Sequence, residues 1–462
     1  MTFAQELAAR VNALTYDALP ADAIHWAKAG ITDCIGVALA GCQEATAKIP
    51  MKVLGSAPQS GQSLVWGSAL RISALDAALL NGTAAHALDF DDCSNTMGGH
   101  PSTVLVPGAL ALGDDIGVSG RDFIEAYVAG FEAQAALSRV VHWHHYEKGW
   151  HPTATLGVFG ATVACGRLLK LSDEQMTTAL ALAVSEAAGV KANFGSMTKP
   201  LHAGLTARNG LFAALMAKEG FTANAEAFEH KQGYFEVFNG TGTYDPAKAF
   251  DSWGERLDIV HPAICIKQHP CCASTHSCID AASVLHESLK EQLGDIEKIE
   301  TNTHKFRLAH TDKPDPKSEL DAKFSVQYCT ARALQDGYVA LEHFENAAYD
   351  ETAVRALMAK TTSVLLDADD EFLGIVRVTL KDGSVYEEQA SVPSGRGPDN
   401  PMTDEQFKSK FASCAKRTLP LDAIDPLFGA LDGLENLKSV AEITALLEKP
   451  LLNVKGAAKA AE

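Results

Sequence analysis

Apolar residues recur at three- and four-residue spacing over residues 5–14 and 20–40, which predicts two amphipathic helices, the second opening on Pro20 in a first-turn position. The segments VLVPGALALGDDIG, RDFIEAYVAGFEAQAALSRVV, TLGVFGATVACGRLLK, DEQMTTALALAVSEAAG and AGLTARNGLFAALMAKEG continue the helical pattern, several of them almost uniformly apolar with small residues on most faces. Helices of that kind are buried on all sides, so they predict a thick helical domain or a subunit interface. SLVWG is a short strand-like piece among them. Near Pro262 the texture changes. A cysteine- and histidine-rich turn leads to helix-like stretches at 274–292 and 323–338 and an alternating stretch at 296–307. In GIVRVTLKDGSVYEEQAS, Asp382-Gly383 splits two alternating runs, a hairpin signal. Beyond SGRGPDNPM the helical pattern returns. The reading is mainly α with a smaller α+β domain: residues 1–262 helical, 263–398 α+β, and 399–462 a helical return to the first domain. The alanine-rich last residues are expected to fray.

A chain of 462 residues exceeds one small domain and can bury large cores. The net charge of −19 argues against nucleic acid and against an anionic membrane surface, because both require a basic face. An anionic substrate would therefore need local lysines against an acidic background. Ten scattered cysteines, with no basic-then-apolar start to the chain, lead us to expect reduced thiols and a cytoplasmic protein. The apolar runs fall short of the ~20 residues a membrane span needs.

Four clusters carry candidate chemistry. The first, NGTAAHALDFDDCSNTMGGHPSTVLVP at residues 81–107, sets Asp89, Asp91, Asp92, His86 and His100 between two apolar helix-like segments. Such polar density is costly to bury without a reason, and the three aspartates cannot all be buried and ionised together. One can accept a proton while the others cap helices or position His100; ordinary turn and capping chemistry is the alternative reading. The second, HWHHYEKGWHPTATLG, places His151 just before a helix start at Pro152, where the dipole disfavours an extra proton and a neutral imidazole can act as a base. Its HxHH spacing admits a metal, yet no acidic or cysteine ligand is locally spaced to complete a known pattern; His142, His144 and His145 otherwise read as surface residues. The third, GSMTKPLHAGLTARNG, leaves Lys199 beside a helix N-terminus, a volume that suits a carboxylate. The bland reading is a solvated loop lysine. The fourth, ICIKQHPCCASTHSC, offers Lys267 as a carboxylate partner within what is otherwise a buried structural turn. Adjacent Cys271 and Cys272, without a CxxC pair, do not make a metal knuckle.

LNGTAAHALDFDDC with GHPS, then WHPT, then TKPLHAGLTARNG, then IKxxPCC followed by TH, resemble in that order the MmgE/PrpD family, which includes 2-methylcitrate dehydratase, cis-aconitate decarboxylase and iminodisuccinate epimerase. The resemblance spans residues 4–447. It implies a large helical domain with residues 263–398 as a lid, a homodimer through the helical domains, a site in the cleft between domain and lid, a small anionic polycarboxylate substrate, and neither metal nor organic cofactor. It also implies Asp89, His100, His151, Lys199 and Lys267 as pocket residues, with His202, Cys93 and Cys272 added as substrate-binding positions. Where cis-aconitate decarboxylases resemble one another in a threonine and a histidine, this chain has Cys93 and Cys272. That departure, with Tyr146 as an additional acid, points to a cofactor-independent epimerase exchanging the Cα proton of an imino-dicarboxylate like iminodisuccinate, Tyr146 and Lys199 serving opposite faces of the carbon. The alternatives are a 2-methylcitrate-type dehydratase and then a cis-aconitate-type decarboxylase. From other classes, a metal-dependent hydrolase using Asp89, Asp91, His100 and the HxHH run, or a non-catalytic carboxylate-binding protein, would fit the same residues.

Overall fold

The small-residue segments form the helices their pattern predicts, and the missing side chains set how closely those helices pack. In the computed structural model, which describes residues 1–54, 60–251 and 253–448, they are α1 (Ala21–Gly41), α2 (Ala74–His86), α3 (Ser102–Ile116), α4 (Gly120–Val141), α5 (Gly157–Leu168) and α6 (Thr198–Lys218). Every residue of α2 from Ala77 to His86 is buried, as is every residue of α3 from Ser102 to Gly113. These helices belong to a unit formed by Met1–Ile266 and Thr403–Glu462, while Lys267–Met402 form a second unit. The alanine-rich end expected to fray lies outside the described residues.

α2 and α6 meet backbone to backbone. A Cβ on Gly204 would stand 2.2 Å from both the Leu79 carbonyl oxygen and the Thr83 hydroxyl, and one on Gly82 would stand 2.9 Å from the Gly204 Cα. Neither glycine is there for backbone freedom; both are there for proximity. A Gly204→Ala protein is therefore expected to lose roughly 1–3 kcal/mol through overpacking, with activity falling alongside because α2 and α6 both carry site residues. Thermal denaturation and turnover of the purified variant check this, and a wild-type melting midpoint would refute it.

The C-terminal return is held by charge as well as by packing. Lys410, on the helix Asp404–Ala415, sets its ammonium 2.6 Å from Asp33 of α1 and donates to the Phe90 carbonyl at 3.0 Å, with all three residues buried.

In the second unit the helices His276–Leu289 and Val326–Asp336 share a core with a four-stranded sheet. Its strands are β1 (Ile296–His304), β2 (Thr361–Leu366), β3 (Gly374–Leu380) and β4 (Val385–Ala390), in the order β2-β1-β3-β4, with only the β1–β2 pair parallel. The β3–β4 hairpin turns where Asp382-Gly383 predicts: Gly383 has φ +89°, and Asp382 accepts the Ser384 N–H at 2.9 Å. β2 escapes a sequence reading because it is an edge strand with mostly exposed side chains and no buried alternate face. Among the described residues the chain is mainly α, with the sheet confined to the second unit's α+β core and a few two-residue bridges elsewhere.

Candidate active site

α2 ends at His86, and the following turn reverses the chain into α3. Asp89 takes φ +54° there, a left-handed conformation that an aspartate tolerates at a cost of order 1 kcal/mol and that recurs where function over-determines the backbone. The turn aims its three buried aspartates at three different partners. Asp92 faces the start of α3: Oδ1 accepts the Ser102 N–H at 3.2 Å and Oδ2 accepts the Ser102 hydroxyl. Burial, reinforced by Asp33 and Asp91, pushes its pKa well above the usual carboxylate range. This is the capping member of the trio.

Asp91 faces two imidazoles. Both of its oxygens lie 2.9 Å from Nδ1 of His86, and Oδ2 lies 3.2 Å from Nδ1 of His100. Burial alone would raise its pKa, but His86 and His100 outweigh it and hold the carboxyl well below its ordinary range. His86 is wholly buried, which lowers its pKa to about 4 against the pull of Asp91, so near neutral pH it is uncharged.

Asp89 faces Lys199, whose ammonium stands 2.6 Å from Oδ1; the side chains are 10% and 12% exposed. Lys199 is the second residue of α6, and Pro200 occupies the next position, where the absent N–H costs nothing because first-turn donors lack intrahelical partners. The ammonium also lies 5.3 Å from the centre of the Phe194 ring. His100 completes the connection, with Nε2 3.7 Å from Asp89 Oδ1 and Nδ1 2.8 Å from the Asp92 carbonyl.

His151 caps the short helix Pro152–Thr155, and its ring lies 6.1 Å from that of His86. Its Nδ1 is 3.1 Å from Nδ1 of His202, so one of the two nitrogens donates and the other accepts. Burial, followed by Lys199, His86, His202 and His100, lowers the His151 pKa well below its ordinary value. Burial and then Lys199 lower that of His202. The first unit thus gathers Asp89, His100, His151, Lys199 and His202 around two residues the sequence reading did not single out for a role, His86 and Phe194. The signal for His86 was a histidine at a helix C-terminus five residues before an aspartate.

The remaining candidates have other surroundings. Tyr146 lies in the short helix His144–Glu147, with the Lys191 ammonium 3.3 Å from its ring centre and the Trp143 ring edge-on at 6.4 Å. Cys93 pairs with Cys265 across a two-residue antiparallel bridge that closes the turn after Asp92. Lys267 and Cys272 belong to the second unit. Both are buried, and the Cys272 N–H donates to the Lys323 carbonyl at 2.9 Å. The HxHH run does not converge: His142 Nε2 bonds the Met97 carbonyl, His145 bonds Asn239 and Thr155, and His144 is exposed.

Ligand atoms of His86, Asp89, Asp91 and His100 lie within 4.8 Å of one another, a spacing that admits a cation. Two observations compete with it. The Lys199 ammonium already sits on Asp89, and two imidazole nitrogens already sit on Asp91. The arrangement is a chain of polar contacts, Lys199–Asp89–His100–Asp91–His86, ion-paired at its lysine end, where it can bind an anion, and able to exchange a proton through its imidazoles.

Comparison with known proteins places the chain among related sequences. The family model for the MmgE/PrpD N-terminal domain matches residues 5–247, and that for the MmgE/PrpD C-terminal domain matches residues 269–425. The chain is 28% identical to the cis-aconitate decarboxylase of Homo sapiens, over 96% of this chain and 94% of that protein. It is 28% identical to the cis-aconitate decarboxylase-like protein oryM of Aspergillus oryzae, over 96% and 97%, and 26% identical to the cis-aconitate decarboxylase of Aspergillus terreus, over 95% and 94%.

Proposed function

The chain belongs to the MmgE/PrpD family of enzymes, and from that premise we propose that it is a lyase that decarboxylates a small unsaturated tricarboxylate resembling cis-aconitate. The observation that carries this reading is the Lys199–Asp89–His100 chain at the start of α6, in a protein whose named relatives are cis-aconitate decarboxylases over nearly their whole length. Those relatives favour a lyase over the epimerase expected from Cys93, Cys272 and Tyr146.

Lys199 holds a substrate carboxylate through its ammonium alone, because the first-turn N–H groups of α6 are taken, those of Thr198 and Lys199 by Ser196 and that of Leu201 by the Met197 carbonyl. Loss of carbon dioxide breaks a carbon–carbon bond and leaves its electron pair on carbon, delocalised toward a remaining carboxylate. Fixed positive charge beside that carboxylate is what lowers the barrier. The carbon then takes a proton: His100, whose Nδ1 is committed to Asp91 and the Asp92 carbonyl, takes up a solvent proton at Nε2, delivers it to the carbon from there and returns to its neutral form. His151 and His202, kept uncharged by burial, offer hydrogen bonds without competing for the carboxylate. The thiol of Cys93, partly exposed, changes the wall of the pocket from that of the decarboxylases, so a substrate range different from theirs is expected. Among the described residues no helix is long and apolar enough to cross a membrane. The ten thiols suit a reducing, cytoplasmic compartment, and the working form is a homodimer.

The test is to incubate the purified protein with cis-aconitate, citrates and iminodisuccinates in deuterated water, with and without a chelator, and to follow products by NMR. Carbon dioxide release, one deuterium in the product and indifference to chelator are expected. Inversion with label uptake but no carbon dioxide would restore the epimerase, water loss would establish the dehydratase, and chelator inhibition would show that the His86–Asp89–Asp91–His100 group binds a metal.

A further inference from the structure

The Asp91 carboxylate meets Nδ1 of His100, whereas Asp89, the partner of Lys199, lies nearer Nε2, and Asp91 also accepts from a second histidine, His86. Nδ1 of His100 faces only acceptors, the Asp91 carboxylate at 3.2 Å and the Asp92 carbonyl at 2.8 Å, so that nitrogen must carry the hydrogen. The same logic holds for His86, whose Nδ1 faces both oxygens of Asp91 at 2.9 Å. Its Nε2 is buried with no hydrogen-bond partner among the described residues. A buried nitrogen without a partner has a cost, and the compensating gain here is a doubly anchored carboxylate. With both side chains fully buried, Asp91 cannot turn toward solvent and trade His100 for water.

We propose that His86 and Asp91 are positioning residues that fix His100 as the Nδ1–H tautomer, so that Nε2 is the nitrogen exchanging a proton with the substrate. Neither touches the reacting atoms. Asp91 orients the ring, as the buried aspartate does in a Ser-His-Asp triad, and His86 keeps Asp91 ionised and aimed. The part these residues play in turnover rests on the lyase reading above, whereas the tautomer does not.

The test combines spectroscopy with kinetics on the full-length protein. In 15N-histidine-labelled protein, assigned by comparison with the His86→Asn and His100→Gln proteins, both histidines should show a protonated Nδ1 and a bare Nε2. Asp91→Asn should lower kcat by about 10²- to 10⁴-fold with KM within about threefold, the range seen when a tautomer-fixing carboxylate is neutralised. His86→Ala should lower kcat about 10- to 100-fold. His86→Asn, whose amide N–H can reproduce the Nδ1–H donor, should recover to within about threefold of wild type. An Nε2–H tautomer at His100 in the wild-type protein would overturn the proposal, as would His86→Asn proving as impaired as His86→Ala. Should the wild-type protein turn over none of the substrates, the lyase reading fails while the 15N spectrum still decides the tautomer.

Discussion

Lys199→Ala is expected to lower kcat/KM by about 10³-fold, through both a raised KM and a lowered kcat. In the proposed reaction the ammonium serves two anions at once, the Asp89 carboxylate 2.6 Å away and the carboxylate of a substrate bound at the start of α6. Removing one fixed donor from a site that stabilises developing negative charge typically costs 10²–10³-fold, and here the loss is compounded by the partner left behind. Asp89 is 10% exposed on its side chain and held at φ +54°, so without Lys199 its negative charge stands where the substrate's should go. Lys199→Arg should rescue little, because a planar guanidinium needs more room than a single ammonium contact allows. Steady-state kinetics on the two variants decide the matter. A Lys199→Ala enzyme within tenfold of wild type would remove this residue from the site.

The second large effect lies outside the site. Lys410→Met should destabilise the first unit by about 3–5 kcal/mol, because it leaves the Asp33 carboxylate buried opposite a thioether. The double variant Asp33→Leu with Lys410→Met should recover most of that loss, since a buried pair replaced by apolar residues of similar size is often neutral. Activity should not recover in parallel. Lys410 also donates to the carbonyl of Phe90, the residue between Asp89 and Asp91, and no apolar side chain replaces that bond. Urea denaturation of the four-member cycle, read together with turnover, separates the two contributions. If the single variants unfold at the wild-type midpoint, the pair does not hold the C-terminal return in place.

Much of this architecture is local in origin. The small-residue helices, the Asp382-Gly383 hairpin and the helix start at Pro152 follow from period and turn chemistry within a few residues, whereas α6 begins at Thr198, two residues before the start that Pro200 suggests, and so takes Lys199 into its first turn. The edge strand Thr361–Leu366 was not legible, because it buries no alternate face. In the site, residue types were legible and pairings were not. Asp89, Asp91 and Asp92 are interchangeable in a sequence, yet one faces an ammonium, one faces two imidazoles and one caps a helix. The HxHH run admitted a metal by its spacing or read as surface residues, and its three histidines have separate neighbours, two of them bonded to backbone or polar partners inside the fold.

The sequence by itself determined the family and the helical architecture, because motif order and burial period are written along the chain. Only the tertiary structure decided which charge meets which. The Lys199–Asp89 contact joins residues 110 positions apart, Lys410 reaches Phe90 across 320, and His86 acquires its role only when a tight turn folds Asp91 back beneath it. The physical reason is range. A hydrophobic period reports the side on which water is excluded, whereas an ion pair depends on a distance that the packing of α2 against α6 sets.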